Sequence, residues 1–315
     1  MHDTARIKAA LDSIRHFFMR RTVKILLSLS AILFAVCVLG FLLYREKDTL
    51  LNYHWQFHID ALVISFFLYL VDLILVVWVW AMIMRSLGSR AGFWQHFRNI
   101  ALTNVAKRLP GTIWYVLWRG EQYQPEGTPP KITVLASGME ISVSIIGGVL
   151  TCTLFAAPIL IKFPTGITAL AVMLILCLLF LHPKTIKIVL KLLSAENHNF
   201  HYWSILGWIG IYIVIWSVGG LILFSITNII YPIIRIDYIS YIIGSWSLVG
   251  ILSFVVYFLP SNLGFNEIGI SLLLSSIIPS SIAVIIAILS RALVLFYEIV
   301  MASVWWGLEL RKRVH

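Results

Sequence analysis

The sequence predicts an all-α membrane protein, a polytopic bundle of about six to eight transmembrane helices. Three observations carry that expectation. Of 315 residues, 60% are hydrophobic and only 12% charged, far from the balance of a soluble domain of this size. The apolar residues fall into runs long enough to cross about 30 Å of hydrocarbon. Two of these runs are interrupted by Pro and Gly at corresponding places in the two halves of the chain, which suggests an inverted repeat.

Residues 1–24 form a basic segment with Ile7, Leu11, Ile14 and Phe18 at helical spacing, expected to lie on the cytoplasmic membrane surface. Residues 25–182 form a first membrane half. It opens with Ile25–Tyr44, too long for a signal-peptide core and without a small-residue cleavage site, so it reads as a retained anchor. The loop from Arg45 to Asp60 carries His54 and His58, but no Cys or acidic ligands at metal spacing. Ala61–Met84 is the second span and contains Asp72, which at that depth should face other helices or water. Arg85–Lys131 is basic, aromatic and broken over 91–119, an expected re-entrant or interfacial element. Its centre is Pro110-Gly111, since Pro removes a donor and Gly admits almost any backbone angle.

Ile132–Leu160 is the next span, with Glu140 in its first half and a small-xxx-small pair at Ser144 and Gly148 suited to close helix contact. Gly166–Leu181 returns to the other side. Residues 183–201 are a cytoplasmic linker in which Lys184, Lys187 and Lys191 alternate with apolar residues in an amphipathic pattern. The second membrane half, 202–306, begins with Tyr202–Ile226, where Gly219-Gly220 should serve close packing. Tyr238–Leu259 leads to a second break over 259–279, holding Pro260, Gly264 and Glu267. The pattern leaves open whether 238–278 crosses twice or dips in and returns, and Ile268–Ile278 is too short to cross upright as a helix. Ile282–Trp306 is the last span, with Arg291 and Glu298 inside it, and 307–315 is a basic cytoplasmic tail. Cys37, Cys152 and Cys177 lie in apolar runs without paired spacing and read as packing residues.

Charge sets the expected orientation. With the N-terminus inside, nineteen Lys and Arg fall in cytoplasmic segments, against only Arg45, Lys47, Lys162 and Arg235 in outer loops. The positive-inside rule therefore puts both termini in the cytoplasm, and it accounts for the net charge of +10 without nucleic acid. The membrane meant is the cytoplasmic (inner) one.

Five ionisable residues stand inside apolar segments: Asp72, Glu140, Glu267, Arg291 and Glu298. Each costs a few kcal/mol unless it finds a partner or water, so they are expected to converge on one another or on a polar path. Asp72 and Glu298 are candidates for ion pairs that fix helix register. Arg291 is expected to pair with Glu267, whose short helix precedes the Arg291 span after a brief turn; Asp72 and Glu140 are the other acids available. Glu267 has two readings, a cap of its own helix or a partner for an ammonium-bearing head group. On the first break Lys107, Arg108 and Arg119 supply cations, with Trp114 and Trp118 one turn apart. That set suits a phosphate on an amphipathic tail, or equally an interfacial anchor. There is no Walker loop, zinc-protease motif, nucleophile elbow or EF-hand loop, so no cofactor or metal is expected.

Asn104, Lys107, Pro110, Gly111, Trp114 and Arg119, followed downstream by Pro260-x-x-x-Gly264-x-x-Glu267, resemble the membrane region of the lysylphosphatidylglycerol synthase/flippase-like family. The resemblance spans about residues 61–306. It implies a protein that flips an aminoacylated phospholipid or lipid-linked head group, and these residues, joined by Arg108, Glu140 and Arg291 from the charge reading above, are the expected lipid-binding set. In that family aminoacyl transfer sits in a separate soluble domain, whereas here the chain stops at His315, so a transporter rather than an enzyme is expected. The alternatives are a membrane-embedded lipid-modifying enzyme with Glu267 or Glu140 as general base, and a scaffold for a partner membrane enzyme such as a glycosyltransferase.

Overall fold

The computed structural model describes residues 47–106, 113–160, 202–256 and 264–314, with scattered helical or turn positions between 37 and 44 and between 165 and 191. Lys107, Arg108, Pro110, Gly111 and Pro260 lie outside the described residues, as does the side chain of Trp114. The described chain is helical, without strands. In order it forms α1 (Lys47–Leu51), α2 (Ile59–Ser86), α3 (Phe93–Ala106), α4 (Ile113–Tyr123), α5 (Pro130–Phe155), α6 (Ala157–Leu160), α7 (Tyr202–Ile230), α8 (Ile239–Val256), α9 (Phe265–Leu274) and α10 (Ser280–Val314). Five of these, α2, α5, α7, α8 and α10, are long and apolar enough to cross a membrane, and the chain is an integral-membrane helix bundle.

Local chemistry sets the helix ends. At the end of α2, Gly88 takes φ 86°, and the N–H groups of Gly88 and Ser89 reach back to the Arg85 and Met84 carbonyls at 3.0 Å. That satisfies acceptors which the helix leaves open, in a conformation costly for any residue with a Cβ. α5 starts on Pro130, whose missing N–H would be unpaired there in any case. α9 starts at Gly264, again left-handed at φ 94°.

α2 and α7 pack most extensively, and they run antiparallel. The His58 N–H donates to the Ile229 carbonyl at 2.9 Å and the Tyr53 hydroxyl to that of Ile230 at 2.5 Å, so the start of α2 meets the end of α7. The remaining helices repeat one pattern around this pair. In the first half a long helix, α2, is followed by the hairpin α3–α4 and then the long helix α5. In the second, α7 is followed by the hairpin α8–α9 and then α10. Packing follows the same scheme, with α8 on α5 mirrored by α3 on α10, and α4 on α5 mirrored by α9 on α10. With α2 and α7 antiparallel, the two halves form the inverted repeat that the spacing of the breaks suggests.

Both broken segments are hairpins whose open ends close on themselves. In the first, Ser89 Oγ lies 3.1 Å from Thr128 Oγ1, and His96 meets Tyr123. α3 and α4 rise about 21 and 16 Å, too little to cross. In the second, the Tyr241 hydroxyl donates to the Leu273 carbonyl at 3.0 Å, and Ser253 meets Asn266. Its arms are unequal: α8 is of spanning length, whereas α9 rises only about 15 Å. The segment returns to the end where it started, on a half-length helix.

Several expected boundaries shift, and α10 runs past Trp306 through the basic tail to Val314. The 132–160 span ends at Phe155 and continues as the separate turn α6, since the Ala156 backbone closes on the Cys152 carbonyl at 2.7 Å. α7 runs on to Ile230, four residues past Ile226, because Thr227 bonds back to Leu223 and Asn228 to Phe224 instead of signalling a loop. The short helix after the second break occupies 265–274, starting at its Gly264 cap and ending in a turn over Ser275–Ile278.

Candidate functional site: two charge-exchanged ion pairs

In each half, the return arm of the hairpin is clasped by an ion pair to the long helix that follows. Arg119 on α4 donates from Nη1 to Glu140 Oε2 on α5 at 2.6 Å. Arg291 on α10 donates from Nη1 to Glu267 Oε1 on α9 at 2.7 Å. The elements correspond, yet the charges are exchanged, with the arginine on the hairpin in the first half and on the long helix in the second. Glu140 lies about 15 Å along α5 and Arg291 about 16 Å along α10, so each clasp sits at a similar register of its helix. Each is surrounded by apolar sequence, where a lone charge would be costly.

The first clasp is enclosed. The Arg119 side chain has no exposed surface, and its guanidinium carbon lies 4.2 Å from the centre of the Trp80 ring, a cation–π contact that replaces lost hydration. Glu140 Oε1 accepts a long hydrogen bond, 3.4 Å, from the Tyr212 hydroxyl on α7, and Asp72 is within electrostatic reach of that hydroxyl. The Trp80 indole N–H, which can only donate, reaches the Tyr123 hydroxyl at 2.7 Å, and that hydroxyl lies 2.7 Å from His96 Nδ1. His96 is buried on the first turn of α3, and burial pushes its imidazole down to about 4, aided by the nearby Arg85 charge and opposed by a bond to the Ala91 backbone. The ring is therefore neutral at neutral pH, with one nitrogen a donor and the other an acceptor.

The second clasp is partly open: 25% of the Arg291 side chain is exposed, against 8% for Glu267. The cap reading of Glu267 and its pairing with Arg291 are met together, in one carboxylate. Its Oε2 accepts the Gly264 N–H at 2.9 Å, closing the start of α9, while Oε1 takes Arg291. The expected Arg291–Glu267 pairing is present.

The remaining sequence candidates distribute around these clasps. Trp305 on α10 packs on Trp94 and Phe97 of α3, with ring centres 6.2 and 5.6 Å away. Seven residues bring a helix back to nearly the same face, so Glu298 and then Arg291 follow Trp305 up the α3 side of α10. By the same count, Asn104 follows Phe97 on α3. Glu298 is buried, and the Asn104 Oδ1 is shielded from solvent with no hydrogen-bond partner among the described residues. Helix register thus puts Asn104 on α3 and Glu298 on α10 in line with the Arg291–Glu267 clasp, whereas Tyr212, and Asp72 through it, neighbour the Arg119–Glu140 clasp.

Sequence reasoning missed Trp80, His96, Tyr123 and Tyr212. For Trp80 and Tyr212 the signal was a polar-tipped aromatic within an apolar run, which gains from burial only where its N–H or O–H finds a partner, whereas His96 and Tyr123 lie in polar sequence and carried no such signal. No protein-family model, curated protein or solved structure matches the chain.

Proposed function

We propose that this integral membrane protein binds the head group of a phospholipid or lipid-linked molecule and carries it across the cytoplasmic membrane, without chemical conversion. The observation that supports the reading is the half-open Arg291–Glu267 clasp. Arg291 keeps donors beyond the one used by Glu267, part of its surface is accessible, and it stands in an apolar helix, where such a group needs an anion or water. A guanidinium matches a phosphate bidentately, and a polar set carrying Glu267, Glu298 and Asn104 accommodates an attached ammonium or hydroxyl. Lys107 and Arg108 are assigned to the same head group on the sequence alone, and the resemblance to the lysylphosphatidylglycerol synthase/flippase-like family points the same way. In this proposal Arg119 and Glu140 are walls rather than ligands, since their charges are spent on each other. Both termini face the cytoplasm, as the distribution of basic residues favours.

The test is movement of fluorescent phosphatidylglycerol and its lysyl derivative between leaflets of vesicles containing the purified protein. Arg291→Gln should lower the rate tenfold or more while the protein still inserts and purifies as wild type. An unchanged rate with Arg291→Gln, or conversion of the lipid to a new species, would overturn the proposal.

A further inference from the structure

The two halves are built alike but do not meet the central helices alike. α5 lies along α7 with no room to spare: a methyl group on Gly147 would stand 2.6 Å from Tyr212 Cβ, and one on Gly148 2.5 Å from Ile251 on α8. The seat is fastened by the Trp216 indole N–H on the Ser144 carbonyl at 2.9 Å and by Thr151 Oγ1 on that of Ile213 at 3.4 Å. In the other half, α10 meets α2 narrowly, around Tyr297. Within one residue of the register of Gly147, measured from the clasp on each long helix, a tyrosine stands where the first half has a glycine. Tyr297 fills the gap with its ring, 5.2 Å from Phe66 and 5.5 Å from Tyr69, and its hydroxyl lies 2.7 Å from Ser65 Oγ. Tyr69 and Tyr212 occupy the same place counted from the starts of α2 and α7. A pair of helices held by glycine-to-backbone contact resists separation, because any shift empties a close-packed seam. Where a tyrosine holds α10 off α2, the contacts are side-chain ones, the Tyr297–Ser65 hydrogen bond and the rings of Phe66 and Tyr69, which can be released without emptying a backbone seam.

We infer that the halves have unequal mechanical roles: α4–α5 is a fixed wall on α7, and α9–α10 is the part that swings from α2, with the Tyr297–Ser65 contact as its latch. Each ion pair is internal to one of these units, so the swing leaves both clasps closed. α9 and α10 pack extensively on each other and travel together, carrying Arg291.

The experiment reads helix distances and not lipid movement, so a failure of the transport proposal leaves it intact. In a chain with Cys37, Cys152 and Cys177 replaced by alanine, nitroxide labels are placed at the exposed pair Phe67→Cys and Phe296→Cys across the latch, and at Leu154→Cys and Val214→Cys across the wall. Electron paramagnetic resonance is recorded in vesicles of phosphatidylethanolamine and phosphatidylglycerol. The latch pair should show two distance populations and the wall pair one. Tyr297→Phe, which keeps the ring and removes the hydroxyl, should at least double the longer latch population and leave the wall pair unchanged. A single latch distance that ignores Tyr297→Phe, or a wall pair that is the broader of the two, would overturn the inference.

Discussion

The contribution of a charged residue to this protein depends on how completely its partner encloses it. Arg119 and Glu140 are shut away, so removing one leaves a buried charge without its counterion, at a cost on the order of 3–5 kcal/mol. The Arg291–Glu267 clasp is partly solvated, and Glu267 keeps its bond from Gly264 when the arginine is lost. Arg119→Gln should therefore lower thermal stability in detergent clearly more than Arg291→Gln. In double-mutant cycles, Arg119→Gln with Glu140→Gln and Arg291→Gln with Glu267→Gln should both couple, the first more strongly. Equal destabilisation by the two single variants would show that exposure does not rank them. The Arg291–Glu267 pairing was legible from the chain because a short helix and the next span are obliged to be neighbours. The partner of Arg119 was not: it depends on where α4 ends its dip relative to α5, which no local pattern records. His96 adds a pH dependence. Its folded-state value, about 4, lies below the ordinary imidazole value, so the unfolded chain binds the extra proton first. Stability should be full above about pH 6.5, fall as pH drops towards 4 and level off below. His96→Asn should flatten that slope in detergent melts, and a slope unchanged by the substitution would assign it to other groups.

At the scale of elements, glycine separates seams from turns. Gly147 has no space for a Cβ, whereas Gly138 on the same helix has open space around it. Gly147→Leu should unseat α5 and cost roughly 3 kcal/mol or more through overpacking, while Gly138→Leu should be nearly neutral. Comparable melting of the two variants would contradict the close crossing. Gly264 matters for its backbone instead, since at φ 94° any side chain is strained by about 1–3 kcal/mol. Gly264→Leu should insert normally and slow lipid movement in vesicles, as should Pro110→Ala, and normal transport in both would remove the breaks from the mechanism. The hairpins themselves were foreseeable, because Pro and Gly between apolar runs forbid a straight helix. Their unequal arms were less so: α8 is set by packing on α7 and α5 and α9 by packing on α10 and α8, which composition does not report.

For the whole molecule, the arrangement of long helices is a matter of sidedness. The loop before α2 and the loop after α7 share one end of the bundle, so Asn52→Cys and Asp237→Cys should be labelled by an impermeant thiol reagent from the same side of intact cells. If the basic residues orient the chain as expected, that side is the outside, and Ser194→Cys and Lys312→Cys react only after the membrane is opened. Labelling of Asn52→Cys and Asp237→Cys from opposite sides would contradict the antiparallel pairing of α2 with α7. The membrane class and the twofold plan were legible because hydrophobicity and breaks are written along the chain at intervals of tens of residues. The difference between the halves was not, since it turns on which single residue, Gly147 or Tyr297, occupies one crossing.

The exchanged clasps also bear on how such a chain enters a bilayer. Arg119 and Glu140 are 21 residues apart and Glu267 and Arg291 24 apart, each pair joining a hairpin arm to the very next helix. Left alone in hydrocarbon, two such charges cost roughly 5–7 kcal/mol. Because each acid meets its arginine within the stretch being threaded, that penalty is cancelled before the rest of the protein is made. Either half can leave the translocation machinery with its clasp already paired, and the first has no need to wait for the second.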